Sequence, residues 1–154
     1  NGDWQLAVGV DLSDSSERAV GLACDMADQL GANLHIVHVV FPPGPIATPD
    51  GMVGYVGSEY QQLDAVRSRA LTNMDELVQQ HESRLEKLDW SKEILTGYPT
   101  RELISYVDDH EIDGIVMGTV GRSGLDDLLL GSVATGVVKN MNCSVFLTPP
   151  PKRG

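Results

Sequence analysis

Positive charge is scarce in this chain. Of its 154 residues, 11 are Lys or Arg and 22 are Asp or Glu, which gives a net charge of -11. A surface this acidic repels the phosphates of nucleic acids and the headgroups of anionic membranes. The composition therefore argues against both as partners. A phosphate site would have to be local, built from backbone dipoles and assisted by a cation.

Cysteine and long apolar runs are lacking as well. Cys24 and Cys143 lie far apart, which argues against a disulfide framework and against a cysteine-based metal site. No run of about 18 apolar residues occurs, so no transmembrane helix is expected. Residues 1–4 lack the basic and apolar regions of a signal peptide. Together these features predict a cytoplasmic protein.

Several familiar signatures of catalysis and nucleotide binding are missing. The sequence has neither the Gly-x-x-x-x-Gly-Lys-Ser/Thr of a P-loop nor the Gly-x-Gly-x-x-Gly of a dinucleotide fold. It has no Gly-x-Ser-x-Gly elbow. Only His35 and His38 among the four histidines are close in sequence, and a spacing of three on a strand points them to opposite faces. We therefore assign no catalytic residue and no metal ligand set, and expect slow hydrolysis at most.

Apolar runs and helical periodicities alternate along the chain. The apolar runs predict five strands, at residues 6–10, 34–41, 90–96, 113–117 and 143–147. Apolar spacings of three and four predict helices at 14–30 and 59–88, from Pro99 or Thr100 onward, and at 133–141. Apolar strands separated by helices indicate an open, parallel α/β sheet, covered on both faces and joined by right-handed crossovers. We expect one domain over residues 3–149.

Residues 42–57 interrupt this alternation with four prolines and four glycines. That composition predicts no regular element. Two interpretations stay open: a flexible loop inserted in the domain, or a lid over a ligand.

A glycine-spaced segment follows the fourth predicted strand. Gly118 and Gly121 come first, and Gly131 and Ser132 follow after nine further residues, just before a predicted helix. Glycines allow a close approach to an anion, and the first N–H groups of a helix point toward it. Ser132 as helix N-cap and Arg122 would add a hydroxyl and a cation. The alternative is that the glycines make turns and Ser132 only caps the helix.

Asp11 ends the first predicted strand. A carboxylate at this point can accept hydrogen bonds from ribose hydroxyls or bind a metal, and its alternative role is to cap the first helix. If the first and fourth strands are neighbours, their loops flank the switch point where open α/β sheets bind ligands. Considered with the glycine loop, Asp11 is better explained as a ligand-binding residue.

Several segments together resemble the universal stress protein family over essentially the whole chain. The matching segments are residues 6–13, 16–19, 34–39, 97–99, 113–125 and 130–134. Members that bind ATP carry Gly-x2-Gly-x9-Gly-Ser/Thr, which is complete here. The resemblance implies an open Rossmann-like fold of the adenine nucleotide alpha hydrolase-like type. It also implies a five-stranded parallel sheet in the order 3-2-1-4-5, with helices on both faces.

The resemblance also implies a site and an assembly. Asp11 and the backbone of Val39 would hold the adenosine, with Leu12, where the family commonly has glycine, beside the base or ribose. The remaining implied residues line the pocket or surround the phosphates: Met117, Gly118, Gly121, Arg122, Gly131, Ser132 and Val133. The expected ligand is ATP, ADP or AMP with Mg²⁺ or Mn²⁺. Residues 143–147 would pair in a homodimer, although Ser144 stands where the family commonly has proline.

Three functions are compatible with these features. The first is an ATP-binding stress or regulatory module whose nucleotide occupancy signals to a protein partner. The second is a slow ATPase or an autophosphorylating protein, with Ser132 as one acceptor. The third is a dimeric interaction protein that binds no nucleotide and uses its glycines only for turns. The complete glycine pattern favours the first.

Overall fold

The computed structural model describes residues 3–42, 46–47, 53–54, 59–119 and 130–149. Within these ranges strands and helices alternate. The strands are β1 (Gln5–Val10), β2 (Asn33–Val40), β3 (Ile46–Ala47), β4 (Val53–Gly54), β5 (Trp90–Thr96), β6 (Gly114–Gly118) and β7 (Ser144–Thr148). The helices are α1 (Asp14–Leu30), α2 (Glu59–Gln80), α3 (Glu82–Leu85), α4 (Pro99–Asp109) and α5 (Ser132–Asn140).

Five parallel strands form the central sheet in the order β5-β2-β1-β6-β7. Counted along the chain without the short β3 and β4, this is the predicted order 3-2-1-4-5. β1 lies in the middle, between β2 and β6. The strand order reverses at β1. The loops that follow β1 and β6 therefore lie on either side of a crevice at the carboxyl ends of the strands.

The sheet separates two hydrophobic clusters. On the face covered by α1, α2 and α3 (the α1 face), Val8 and Ile36 are fully buried. On the face covered by α4 and α5 (the α4/α5 face), Ile115 and Val37 pack with Leu103. Alternate residues of each strand supply the two clusters, as a strand buried on both faces requires.

The helix predicted over residues 59–88 is wrong beyond residue 80. α2 ends at Gln80, and His81 (φ -111°, ψ 15°) leaves the helical conformation before the single turn of α3. The break redirects the chain so that the Arg84 guanidinium donates to the carbonyl oxygen of Gly21 in α1 at 3.1 Å and Leu85 becomes buried. The apolar spacing continues through both helices, which explains why periodicity alone misses the break.

Smaller differences concern three other segments. β2 ends at Val40 rather than at residue 41, and α5 begins at Ser132 rather than at 133. The prediction of no regular element over residues 42–57 is wrong, because β3 and β4 pair antiparallel. The prolines lie outside these two short strands, so none removes a hydrogen-bond donor from the pair. The other residues of this segment, except Pro42, lie outside the described residues, so the loop and lid interpretations both remain predictions.

The two cysteines lie on opposite faces of the sheet. Cys24 and Cys143 are both free thiols. Burial raises the pKa of the Cys24 thiol to about 11, so it stays protonated near neutral pH. None of the described helices combines the length and the apolar character that crossing a bilayer requires.

Candidate nucleotide site

A cavity of about 350 Å³ opens at the carboxyl ends of β1, β2 and β6. Strand residues Gly9, Val37 and Met117 line it from the α4/α5 face of the sheet, and the first turns of α1, α4 and α5 surround it. Its walls are mostly apolar, with a few polar groups at the strand ends and helix starts. This combination is typical of a small-molecule site, and it lies at the switch point of the sheet.

Asp11 organises the turn between β1 and α1 at the edge of this cavity. Its Oδ1 atom accepts hydrogen bonds from the Ser13 N–H at 3.0 Å, the Ser13 hydroxyl at 2.5 Å and the Ser16 hydroxyl at 2.9 Å. The Ser16 hydroxyl oxygen accepts in turn from the N–H groups of Asp11 and Leu12 at 3.1 and 3.0 Å. These bonds fix the orientation of the carboxylate within the turn. Ser13, not Asp11, is the N-cap residue of α1, so the alternative role of Asp11 as a helix cap is wrong.

Leu12 adopts the conformation that favours glycine. Its φ is 64°, in the left-handed region where a side chain strains the backbone. This explains why a glycine would suit the position. The side chain packs against the cluster on the α1 face, and Leu12 does not line the cavity.

The first turn of α5 forms one end of the cavity. Gly131 is the N-cap residue, with extended backbone (φ -61°, ψ 161°), and the first intrahelical bond runs from the Thr135 N–H to its carbonyl oxygen at 2.9 Å. Ser132 is therefore the first helical residue, and its predicted N-cap role is wrong. A glycine N-cap has no side chain to accept from the N–H groups of the first turn, which belong to cavity-lining residues.

Short backbone bonds hold this turn against the sheet. The Gly131 N–H donates to Thr119 O at 2.7 Å, and the Thr119 N–H donates to Thr148 O at 3.0 Å. The buried Thr148 hydroxyl donates to Met117 O at 3.3 Å. The ends of β6 and β7 therefore position the start of α5.

The opposite end of the cavity lies where β2 and α4 meet. Val39 lines it from the strand, and Pro99 and Leu103, one helical turn apart, line it from α4. His38 also lines it, and its Nδ1–H donates to Val10 O at 2.7 Å, tying β2 to β1 at the rim. Val39, Pro99 and Leu103 give this end of the cavity a largely apolar wall.

Most of the predicted site residues meet at this cavity. Seven of the ten line it: Asp11, Val39, Met117, Gly118, Gly131, Ser132 and Val133. Leu12 lies beside it with its side chain turned away. Gly121 and Arg122 lie outside the described residues.

Several lining residues were missed in the sequence. Gly9 faces the cavity next to Leu103: a Cβ atom at residue 9 would come within 3.5 Å of Leu103 Cδ1. An isolated glycine inside a strand is a known signal that a ligand or another part of the chain approaches closely, so Gly9 could have been predicted from the sequence. Leu103 and His38 carry no such signal, because only the packing of α4 and the pairing of β2 with β1 bring them to the cavity.

The described residues offer no preformed metal centre. Among them, no group of three or more His, Cys, Asp or Glu side chains is arranged to hold a metal ion. Asp11 is the one carboxylate among the described residues that line the cavity.

Comparisons with known proteins assign the chain to a family. Residues 5–149 match the Universal stress protein family. The Universal stress protein MJ0531 of Methanocaldococcus jannaschii is 28% identical over 149 residues, which cover 97% of this chain and 84% of that protein. The structure of the Universal stress protein UspA from Lactobacillus plantarum has a TM-score of 0.76 at 24% identity and covers 96% of this chain and 98% of its own.

Two further solved structures of this fold contain adenine nucleotides. One is a universal stress protein in complex with cAMP, with a TM-score of 0.65 and 24% identity over 97% of this chain and 98% of that chain. The other is the universal stress protein from Archaeoglobus fulgidus in complex with dAMP, with a TM-score of 0.55 and 20% identity over 94% and 96%. Because the family match runs from the first strand of the sheet to the last, this chain belongs to the universal stress protein family.

Proposed function

We propose that this chain binds ATP, or its products ADP and AMP, and acts as a nucleotide-dependent regulatory module of the stress response. The observation that carries the proposal is the cavity at the switch point, with the uncapped first turn of α5 at one end and an apolar recess at the other. The relatives solved with cAMP and dAMP support an adenine nucleotide as the ligand class.

The two ends of the cavity suggest how the nucleotide lies. The N–H groups of Ser132 and Val133 and the positive end of the α5 dipole would receive the phosphates. The base would lie in the apolar recess near Val39 and Leu103. Asp11, whose carboxylate is fixed by the turn, would accept from a ribose hydroxyl between them.

Mg²⁺ or Mn²⁺ would come with the phosphates rather than occupy a site of its own. Such ions keep several water ligands and bind through substrate phosphates plus one or two carboxylates. Asp11 fits that requirement, because it is a single carboxylate at the cavity edge. The cation would neutralise phosphate charge that a protein of net charge -11 otherwise repels.

Binding rather than turnover is the proposed activity. Among the described residues that line the cavity, Asp11 is the one with a carboxylate side chain and His38 is the one with an imidazole. Asp11 Oδ1 already accepts three hydrogen bonds, and His38 Nδ1 donates to Val10 O. These bonds give both side chains a structural role, and the proposal assigns neither of them as a general base.

The first experiment is chromatography of the nucleotides released when freshly purified protein is denatured, followed by calorimetry with ATP. About one equivalent of adenine nucleotide per chain supports the proposal. No released nucleotide and no heat on adding Mg-ATP would favour the interaction-protein alternative, and phosphate release that exceeds one turnover would favour the ATPase.

A substitution pair at Ser132 tests the phosphate end. Proline suits the first position of a helix and follows an extended residue such as Gly131 well, so Ser132→Pro removes one N–H group without breaking α5. We expect about a tenfold or greater loss of ATP affinity, the value of a hydrogen bond to a charged group. Ser132→Ala, which keeps the N–H group, is the matched control. Equal affinity of the proline variant and the wild type would mean that the phosphates lie elsewhere.

Pairing of two copies through β7 is a second proposal, favoured by the exposure of that strand. β7 lies at one edge of the described sheet, and Phe146 on it is 39% exposed. An unpaired edge with an apolar side chain invites a second strand. Sedimentation analysis of Phe146→Glu against the wild type tests it, and a dimer unaffected by this charge would point to another surface.

A further inference from the structure

Two exposed aromatic side chains stand together beside the apolar end of the cavity. Phe41 is 56% exposed and Tyr98 is 59% exposed, so each ring presents much of its surface to solvent. The two ring centroids are 5.1 Å apart and the ring planes meet at 80°, an edge-to-face pair. We call these two residues the aromatic lip. Single exposed apolar residues are ordinary, but a paired aromatic surface beside a cavity indicates a binding role.

A backbone hydrogen bond joins the two parts of the lip. The Gly97 N–H donates to Val40 O at 2.9 Å. Tyr98 directly follows the donor, and Phe41 directly follows the acceptor. Gly97 has a φ of 147°, and a Cβ atom at residue 97 would lie 2.6 Å from Glu102 Oε1. A residue with a Cβ atom would be strained at this φ, so Gly97 permits the turn from which Tyr98 contacts Phe41.

The neighbours of the lip place it at the base end of the cavity. Val39 lines the cavity, and Phe41 lies two residues further along the chain, directly after the end of β2. Pro99 also lines the cavity and directly follows Tyr98. The start of α5, the phosphate end, lies on the other side of β1, two strand spacings or about 10 Å from β2.

The Tyr98 ring is also held from a second direction. The Arg101 guanidinium carbon lies 5.6 Å from the Tyr98 ring centroid, within the range of a cation–π contact. Arg101 is two residues from both Pro99 and Leu103 on α4, so it projects away from the helix face that lines the cavity. The contact therefore restrains the ring from the solvent side without occupying the cavity.

We infer that the aromatic lip packs against the base of the bound nucleotide and covers the part of the base that reaches beyond Val39. This inference rests on the proposed function. It adds two residues that would contact the base, and both lie outside the glycine pattern and outside the residues that line the cavity. Stacking on an aromatic ring accepts any base, since every base has a π face, so the lip contributes affinity for the base and none for the phosphates.

The test is calorimetry of ATP and of tripolyphosphate with Phe41→Ala and Tyr98→Ala. Each variant should weaken ATP binding about fivefold to a hundredfold, the range for loss of an aromatic stack. Tripolyphosphate, which has no base, should bind both variants as it binds the wild type. Tyr98→Phe keeps the ring and should keep the affinity for ATP. Trp90→Ala, which removes an exposed aromatic ring from the amino end of β5, is the matched control and should bind ATP normally.

A direct contact measurement keeps the inference falsifiable if truncation disturbs the turn. Nuclear Overhauser effects between the H2 and H8 protons of bound ATP and the rings of Phe41 and Tyr98 are expected in the wild type. The inference about the aromatic lip would be overturned if both alanine variants bound ATP within twofold of the wild-type affinity, or if bound ATP showed none of these effects. Either result would leave the proposed function standing. A wild type that binds no adenine nucleotide would instead defeat the proposed function itself.

Discussion

The two faces of the sheet are built differently. On the α1 face, Ala19, Ala23 and Ala27 are completely buried, and these small side chains let α1 approach the strands closely. On the α4/α5 face, the helices meet the sheet around a cavity of about 350 Å³ whose wall includes Gly9. The α1 face is therefore closely packed along α1, whereas the α4/α5 face gives up some packing to make room for a cavity.

The largest effect expected from this difference concerns core truncations on each face. Met74→Ala removes a fully buried side chain from the α1 face and should lower the free energy of unfolding by about 2–5 kcal/mol. Leu103→Ala should cost less stability, because part of this side chain already borders the cavity. It should also weaken ATP binding, whereas Met74→Ala should not.

Urea unfolding and calorimetry on the same two variants measure both quantities. The division of roles between the faces is contradicted if Met74→Ala changes ATP affinity as much as Leu103→Ala does at a temperature where both are folded.

A second prediction concerns the contact that sets the spacing of α4 and α5. A Cβ atom at Gly136 of α5 would lie 2.8 Å from Thr100 Cγ2 of α4, so Gly136→Ala forces the helices apart. Overpacking of this kind costs about 1–3 kcal/mol, against the gain of up to about 1 kcal/mol from the better helix propensity of alanine. We expect a net loss of stability of about 1 kcal/mol and weaker ATP binding, because both helices line the cavity.

The double variant Gly136→Ala with Thr100→Ala provides the control. Removal of the threonine γ atoms should restore both stability and ATP affinity in a double-mutant cycle. Additive effects of the two substitutions would show that the helix spacing does not depend on this contact.

A third, smaller effect is a pH dependence from the α4/α5 face. Burial lowers the pKa of His35, and His110 lowers it further, while Glu93 acts in the opposite direction. His35 Nε2–H donates to Gln5 Oε1 at 2.8 Å, so Nδ1 accepts from the Tyr106 hydroxyl at 2.8 Å, and the second of these bonds needs the neutral imidazole.

A histidine whose folded pKa lies below its unfolded value stabilises the fold above the unfolded pKa. That stability is lost as the pH falls from about 6.5 toward the folded pKa. In urea unfolding between pH 8 and pH 5, His35→Gln should therefore show a shallower loss of stability on acidification than the wild type. His81 also has a lowered pKa, so His81→Gln is the comparison that separates the two contributions. Parallel curves for the wild type and His35→Gln would exclude His35 as the source.

The faces also differ in how far the sequence could predict them. The strands and most helix bounds followed from apolar runs, because strands buried on both sides must be apolar along their length. The glycine spacing predicted that Gly118 and Gly131 line the cavity, because a spacing of glycines can be recognised in the sequence itself. Pro99 and Leu103 reach the cavity only through the packing of α4, which no local pattern encodes. The break at His81 was missed for the same reason, because the contact of Arg84 with α1 that accompanies it joins residues far apart in the sequence.

Leu12 offers the smallest and most discriminating test, because it sets a local strain against the packing of the α1 face. Its φ of 64° strains any residue with a Cβ atom, yet its side chain packs against the α1-face cluster. Leu12→Ala and Leu12→Gly both remove that packing, and they differ only at the Cβ atom. At an ordinary φ, alanine would be more stable than glycine by about 0.5–1 kcal/mol. Here the order should reverse, with glycine more stable by about 1 kcal/mol, because only alanine keeps the left-handed strain.

Chemical unfolding of the two variants measures the difference. If the alanine variant were the more stable, the turn after β1 would not be strained, and the packing of Leu12 alone would account for this position.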